Sequence, residues 1–141
     1  MKCVEIIGKP LVSGEAEGSL LVTDQPLSFW GGVNQFTSEI IDRRHELSGS
    51  FLKDKIFVFC GSKGSSTGSM VLLELLYKGI GPKGIVVTDQ EIILTIGAII
   101  GQEIFSIVTP IVKISYQDLS ITRTFTNAKI TSDGRLTLYP Y

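Results

Sequence analysis

The segment Lys55–Lys78 constrains the fold of this chain more than any other. Ile56-Phe57-Val58-Phe59-Cys60 is a short run of β-branched and aromatic residues bounded by glycine, which predicts a buried strand. Gly61-Ser62-Lys63-Gly64-Ser65-Ser66-Thr67-Gly68-Ser69 follows as a turn rich in glycine and hydroxyls. Met70, Leu73, Leu76 and Tyr77 then recur at helical spacing, predicting a helix from near Met70 that Gly79 and Pro82 end. This order places several backbone N–H groups and a row of hydroxyls at a helix N-terminus. That end carries the positive pole of the helix dipole, so it favours an anion or a hydroxyl losing its proton.

The length of 141 residues fits a single domain, 1–141, large enough to bury a core. With 43% hydrophobic and 19% charged residues, the composition is that of a soluble globular protein. The formal charge of -1 provides no basic field, so neither nucleic acid nor an acidic membrane is expected as a partner. Cys3 and Cys60 are too few and too far apart for a metal framework, and Cys60 reads as a small core hydrophobe. No N-terminal signal peptide is visible. The most apolar stretch, Ile92–Ile100, is about half a membrane span long and lies between Glu91 and Glu103. A cytoplasmic location is the expectation.

Val4–Ile7 predicts a first strand, Gly8-Lys9-Pro10 a break, and Ser19–Val22 a second strand after a polar segment. Gln25–Val33 reads as a shaped loop holding Phe29 and Trp30, with Gly31-Gly32 permitting backbone closed to other residues. Glu39–Asp42 is a candidate short strand, and Gly84–Thr88 a buried one. Glu91–Gly101 predicts a helix interrupted at Gly97, and Ile104–Val108 a strand stopped by Thr109-Pro110. From Ile114 onward the pattern is β-rich: Ile121–Phe125 alternates, and Ser132-Asp133-Gly134-Arg135 predicts a hairpin turn between Ala128–Thr131 and Leu136–Tyr139. The sum is α/β, with barrel-like β structure and helices; strand-rich, helix-poor ends fit that better than a doubly wound sheet.

Conventional catalytic sets are missing from the sequence. His45, the single histidine, lies in a charged segment and reads as a solvated surface residue. Asp42-Arg43-Arg44 has the charge to hold an anion, but exposed charge runs usually do not. No metal-ligating spacing occurs. The glycine–serine turn is neither a Walker loop, since Lys63 precedes Gly64, nor Gly-x-Gly-x-x-Gly. Two readings of it stand side by side. In one, Ser65, Ser66 or Thr67 merely caps the helix. In the other, one serine is the reacting group, helped by the dipole, neighbouring N–H donors and Lys63.

Ser28-Phe29-Trp30-Gly31-Gly32-Val33, then Gly64-Ser65-Ser66-Thr67-Gly68-Ser69, a leucine-rich helix and Gly79-Ile80-Gly81-Pro82-Lys83-Gly84-Ile85 together resemble the small subunit of the aconitase X family, on its archaeal phosphomevalonate-dehydrating branch. The resemblance runs over nearly the whole chain. It implies a single aconitase-type swivel domain, a swivelling β/β/α unit like the mobile domain of aconitases. It also implies a heteromeric hydro-lyase that dehydrates (R)-5-phosphomevalonate to trans-anhydromevalonate 5-phosphate in the archaeal mevalonate route to isoprenoids. The expected partner is a large subunit carrying an iron–sulfur cluster, whose open iron acts as Lewis acid on the leaving hydroxyl. This chain is then expected to bind no cofactor or metal itself, and to be inactive alone.

By the same resemblance Ser65, directly after Gly64, is the proton acceptor, and Lys63, Gly64, Ser66 and Thr67 are the substrate-binding candidates for a small phosphorylated hydroxy acid. Thr67 stands where aconitase-type domains place an arginine, so Lys63 is the substitute cation. Asn34-Gln35 stands where relatives tend to carry Asp-Pro, which leaves open whether Asn34 replaces a functional aspartate. Phe29 and Trp30 suit either a subunit interface or a plug of the chain's own core. Competing expectations are an aconitase X-type hydroxyproline dehydratase, usually fused into one chain, and a non-catalytic phospho-ligand-binding module. A phosphoryl carrier would need a histidine in the turn, which has none.

Overall fold

A computed structural model describes residues 2–141. The elements follow the order β1 (Val4–Ile7), β2 (Lys9–Val12), β3 (Ala16–Val22), α1 (Phe29–Gly32), β4 (Lys55–Phe59), α2 (Gly68–Tyr77), β5 (Gly84–Val87), α3 (Ile93–Phe105), β6 (Ile111–Lys113), α4 (Tyr116–Thr122), β7 (Asn127–Ile130) and β8 (Arg135–Tyr139). They build one 8-stranded sheet ordered β1-β8-β7-β3-β4-β5-β6-β2. Its centre, β3-β4-β5-β6, is parallel, while β7, β8, β1 and β2 join antiparallel.

The two edge strands, β1 and β2, are successive pieces of one segment that turns at Gly8. The sheet therefore wraps until its two ends meet in the chain, the barrel-like β structure expected. The predicted break narrows to Gly8 alone. Its N–H donates to Gly134 O at 3.0 Å, and a Cβ there would stand 2.3 Å from Val112 Cγ1, so only glycine fits this corner.

Alternation along the central strands sends side chains to two cores. Phe57, Phe59, Ile85, Val87 and Ile111 face Leu72, Leu75, Leu94 and Ala98 of the covering helices α2 and α3. Ile56, Val58, Val86 and Val112 face Ala128, Ile130, Leu136 and Leu138, together with Leu119 of α4. Burial on both sides explains why β4 and β5 read as continuous apolar runs. Within the first core Phe57 stacks on Phe59 at 4.4 Å between centroids, and Phe29 is tilted against both.

Several boundaries differ from the sequence expectation. α2 begins at Gly68 and buries Val71, Leu72, Leu75 and Leu76, leaving Met70 and Tyr77 exposed. α3 runs unbroken through Gly97 to Phe105, so Ile104 ends a helix and the strand comes later, at Ile111–Lys113. Gly97 is a packing glycine: a Cβ there would meet Ser69 O at 2.6 Å. Ile121–Phe125 is not a strand. Residues 116–122 are helical because Ser115 caps them, its Oγ accepting the Asp118 N–H at 3.2 Å. Glu39 and Ile40 make only isolated bridges, to Phe51 and Val33.

Candidate active site

β3, β4 and β5 are parallel, so the loops leaving their carboxyl ends gather at one edge: Thr23-Asp24-Gln25, Gly61-Ser62-Lys63 and Thr88-Asp89-Gln90-Glu91. α2 and α3 both start from this edge, pointing their N-termini toward it. In such sheets ligands seat outside the carboxyl ends of the strands. A cavity of about 540 Å³ between Glu15, Leu76, Lys83, Ile107 and Thr109 lies instead at the amino ends, away from the glycine–serine turn.

The turn keeps Lys63, Gly64, Ser65, Ser66 and Thr67 together and all exposed. Gly64 sits at φ +84°, a left-handed conformation that suits glycine. Ser65 Oγ accepts the Thr67 N–H at 3.0 Å, and Ser65 O accepts the Gly68 N–H at 3.1 Å. Thr67 is the N-cap residue, but its side chain makes no capping bond; Ser69 Oγ donates to Ser66 O at 2.9 Å. Of the three hydroxyls the sequence left as capping candidates, Ser65 alone takes a backbone N–H at the helix start. An N–H donor on Oγ and the positive end of α2 both favour the ionised hydroxyl.

The two motifs singled out in the sequence meet here. Leu27 and Ser62 form a parallel bridge, with the Lys63 N–H donating to Leu27 O at 3.4 Å. A Cβ on Gly68 would touch Phe29 Cβ at 3.4 Å, and one on Gly64 would meet Ser28 Oγ at 3.3 Å. Phe29 is therefore core, only 1% exposed, and not an interface residue; Trp30 beside it is 56% exposed. Asn34 Oδ1 accepts the Phe36 N–H at 2.8 Å, so this side chain folds its own loop.

Sequence reasoning passed over Glu91. This buried carboxylate accepts the Ser62 N–H on Oε1 at 2.6 Å and the Leu94 N–H on Oε2 at 3.0 Å. It ties the turn to the start of α3, and an acid two residues before the first helical residue was the available signal. Ser62 Oγ and Thr88 Oγ1 are buried nearby in sequence and sheet order without partners. Cys60 is half-buried at this edge; burial first, then the charge of Asp89, pushes its thiol pKa up, which keeps it a poor nucleophile.

His45 corrects another expectation. It is 7% exposed rather than solvated, because residues 42–48 coil into tight turns and Nδ1 accepts the Leu47 N–H at 3.1 Å. Arg44, His45 and Lys63 share a pocket of about 170 Å³ with Gln25, Pro26 and Asp42. Among the described residues no group of His, Cys, Asp and Glu side chains is arranged to hold a metal, so these residues do not fit a cluster of their own. No helix among them is long and apolar enough to cross a membrane.

Comparison with known proteins places this geometry in a lineage. The Aconitase X swivel domain family matches residues 5–138. A cis-3-hydroxy-L-proline dehydratase of Hypocrea jecorina is 45% identical over 79% of this chain, which spans about a fifth (19%) of that relative. A phosphomevalonate dehydratase small subunit of Pyrococcus furiosus is 43% identical over 69% of this chain and 72% of its own length. The crystal structure of Thermococcus kodakaraensis aconitase X, holo-form, superposes with a TM-score of 0.81 at 32% identity, covering 96% of this chain and 98% of that one. With a family match over nearly its whole length and a superposition that covers 96% of it, the chain belongs to the aconitase X swivel domain family.

Proposed function

We propose that this chain is the small subunit of a cytoplasmic hydro-lyase that converts (R)-5-phosphomevalonate to trans-anhydromevalonate 5-phosphate. The archaeal relatives named for that reaction support the substrate. One observation carries the chemistry: an exposed serine hydroxyl at the start of α2, with a backbone N–H already donated to its oxygen. Elimination of water breaks a C–H bond beside the carboxylate and a C–O bond on the next carbon. The proton passes to Ser65 Oγ, and the hydroxyl leaves with the electron pair of its own bond. Lys63, the exposed backbone around Gly64 and the hydroxyls of Ser66 and Thr67 supply donors for the substrate's anionic groups. An iron–sulfur cluster, on this reading, belongs to the large subunit.

An open apolar groove of about 390 Å³ beside the turn, walled by Trp30, Val33, Phe36, Ile41 and Val71, supports a second chain closing over this edge. Alone, the domain leaves Ser65 in water, where a hydroxyl is a weak base; without its partner it is therefore inactive.

The experiment is reconstitution with a cysteine-bearing large subunit, following water loss from phosphomevalonate. Ser65→Ala is expected to lower kcat by roughly 10²–10⁴-fold while the two chains still associate. Equal turnover with alanine overturns the role of Ser65. The 45% identity to a hydroxyproline dehydratase favours a second reading, in which the reconstituted pair dehydrates cis-3-hydroxy-L-proline instead. Offering both substrates to the same preparation separates the two.

A further inference from the structure

We propose that the pocket between Pro26, Arg44, His45 and Lys63 is an oxyanion seat, and that it takes the phosphate of the substrate; the second half rests on the dehydratase reading above. Three features carry the seat. First, Arg44 and Lys63 have no carboxylate partner among the described residues, whereas Arg123 and Arg135 each have two. Two unpaired cations therefore wall one small pocket against a single carboxylate, Asp42, whose Oδ1 already accepts the Arg44 N–H at 3.1 Å.

Second, the Leu47 N–H occupies His45 Nδ1, so the ring hydrogen resides on Nε2. That Nε2 is buried and has no acceptor. A buried N–H without a partner is a standing demand for an acceptor oxygen. Third, Gln25 Oε1 is taken by the Glu46 N–H at 2.9 Å, so the donor half of this amide is what remains to offer the pocket. Two cations and spare donors lining one pocket match a tetrahedral oxyanion better than a cation.

Size sets the ligand class. The pocket, about 170 Å³, holds roughly five or six waters' worth of volume. That accommodates a phosphoryl group and not a nucleotide. Lys63 stands two residues before Ser65, a backbone span of at most about 7 Å. A short phosphorylated hydroxy acid bridges that distance, with its charged end in the seat and its acidic carbon at the serine. A hydroxyproline has no second oxyanion to place there, so the seat is also a specificity device.

The test is a titration of the full ¹⁵N-labelled chain with inorganic phosphate, watching the amides of Arg44, His45 and Lys63 and the His45 ring. Saturable shifts there are expected, weakened at least tenfold in Arg44→Ala but not in Arg43→Ala, which removes the same charge outside the pocket. Shifts confined to Gly64–Ser69, equal losses in both arginine variants, or no saturation by about 50 mM phosphate overturn the seat. In the reconstituted pair, Arg44→Ala should raise KM for phosphomevalonate at least tenfold with little change in kcat. If the pair dehydrates phosphomevalonate with KM unmoved by Arg44→Ala, the seat fails and the function stands. If it never dehydrates phosphomevalonate yet phosphate still saturates the pocket, the function fails and the seat stands.

Discussion

The Ser62 N–H donates to Glu91 Oε1 at 2.6 Å, while the other oxygen of that carboxylate takes the Leu94 N–H at 3.0 Å. One buried side chain thus ties the glycine–serine turn after β4 to the helix that follows β5. The charge sits at the N-terminus of α3, where the helix dipole favours it. The Leu94 N–H is buried and the Ser62 N–H half-buried, so the strut fixes where the turn carrying Ser65 begins.

Glu91→Ala is accordingly expected to destabilise the domain by about 1–3 kcal/mol, since one buried and one half-buried donor lose their acceptor. Glu91→Gln keeps the shape and one acceptor oxygen and should cost less. Urea unfolding of the three proteins checks this; an alanine variant within about 0.5 kcal/mol of the parent would refute the strut.

Gly97 and Gly101 lie on the same face of α3 and should respond differently to alanine. Helix propensity alone favours alanine at both by about 1 kcal/mol. At Gly97 the new Cβ meets the Ser69 carbonyl oxygen at 2.6 Å, which is backbone and has no rotamer to escape into. Gly97→Ala should therefore cost about 1–3 kcal/mol net and displace the start of α2. At Gly101 the nearest atom is Leu76 Cδ1, at 3.1 Å, the movable end of a side chain. Gly101→Ala should be near neutral, and thermal melts of the pair will show the ranking.

Gly64→Ala tests the turn without removing a reacting group. At φ +84° an L-residue is strained by about 1–2 kcal/mol, and its Cβ would press on Ser28 Oγ at 3.3 Å. The turn would relieve that strain by moving Ser65. The expected result is a fall in kcat of the reconstituted pair larger than the loss of stability explains. Unchanged kcat would show that the position of Ser65 tolerates such movement.

Stability should fall in acid through Glu46. The Thr23 hydroxyl, aided by Arg123, holds the Glu46 carboxyl below its ordinary range. A carboxylate depressed by folding contributes stability above its unfolded pKa and loses it as pH falls through the folded one. Thr23→Val removes the donor, and it also strips the Gln25 N–H of its acceptor at 3.1 Å. The variant should be less stable at neutral pH and should lose less on acidification. Urea midpoints measured from pH 7 down to about pH 3 give both slopes. A parallel pair of slopes would assign the acid limb elsewhere, with Asp133, lowered by its bond from Thr131, the next group to examine.

Local chemistry was legible in the residues themselves. The strand before Gly61, the turn, the helix after it and the hairpin at Asp133-Gly134 each depend on near neighbours, and each stands where the residues put it within a few positions. The gathering of Lys63 to Thr67 in one exposed turn followed from the same locality. Ile121–Phe125 misled because its alternation is real, yet Ser115 upstream caps a helix and Leu119 and Thr122 find burial on one side of it. Gly97 misled because a glycine that breaks an isolated helix is required where a second helix lies against it.

What the chain alone determined was therefore its inventory: which segments are stiff, which turn, and where a hydroxyl meets a helix dipole. Assembly decided the rest. Gly8 became a corner rather than a break because β8 and β6 stand on either side of it. His45 was buried by turns of its own loop, and its pocket needed Pro26 and Lys63 brought from other segments. Glu91 became a strut only when parallel pairing of β4 and β5 set the loops that follow them side by side. Contacts between distant segments depend on how the whole sheet wraps, and no short stretch of sequence carries that information.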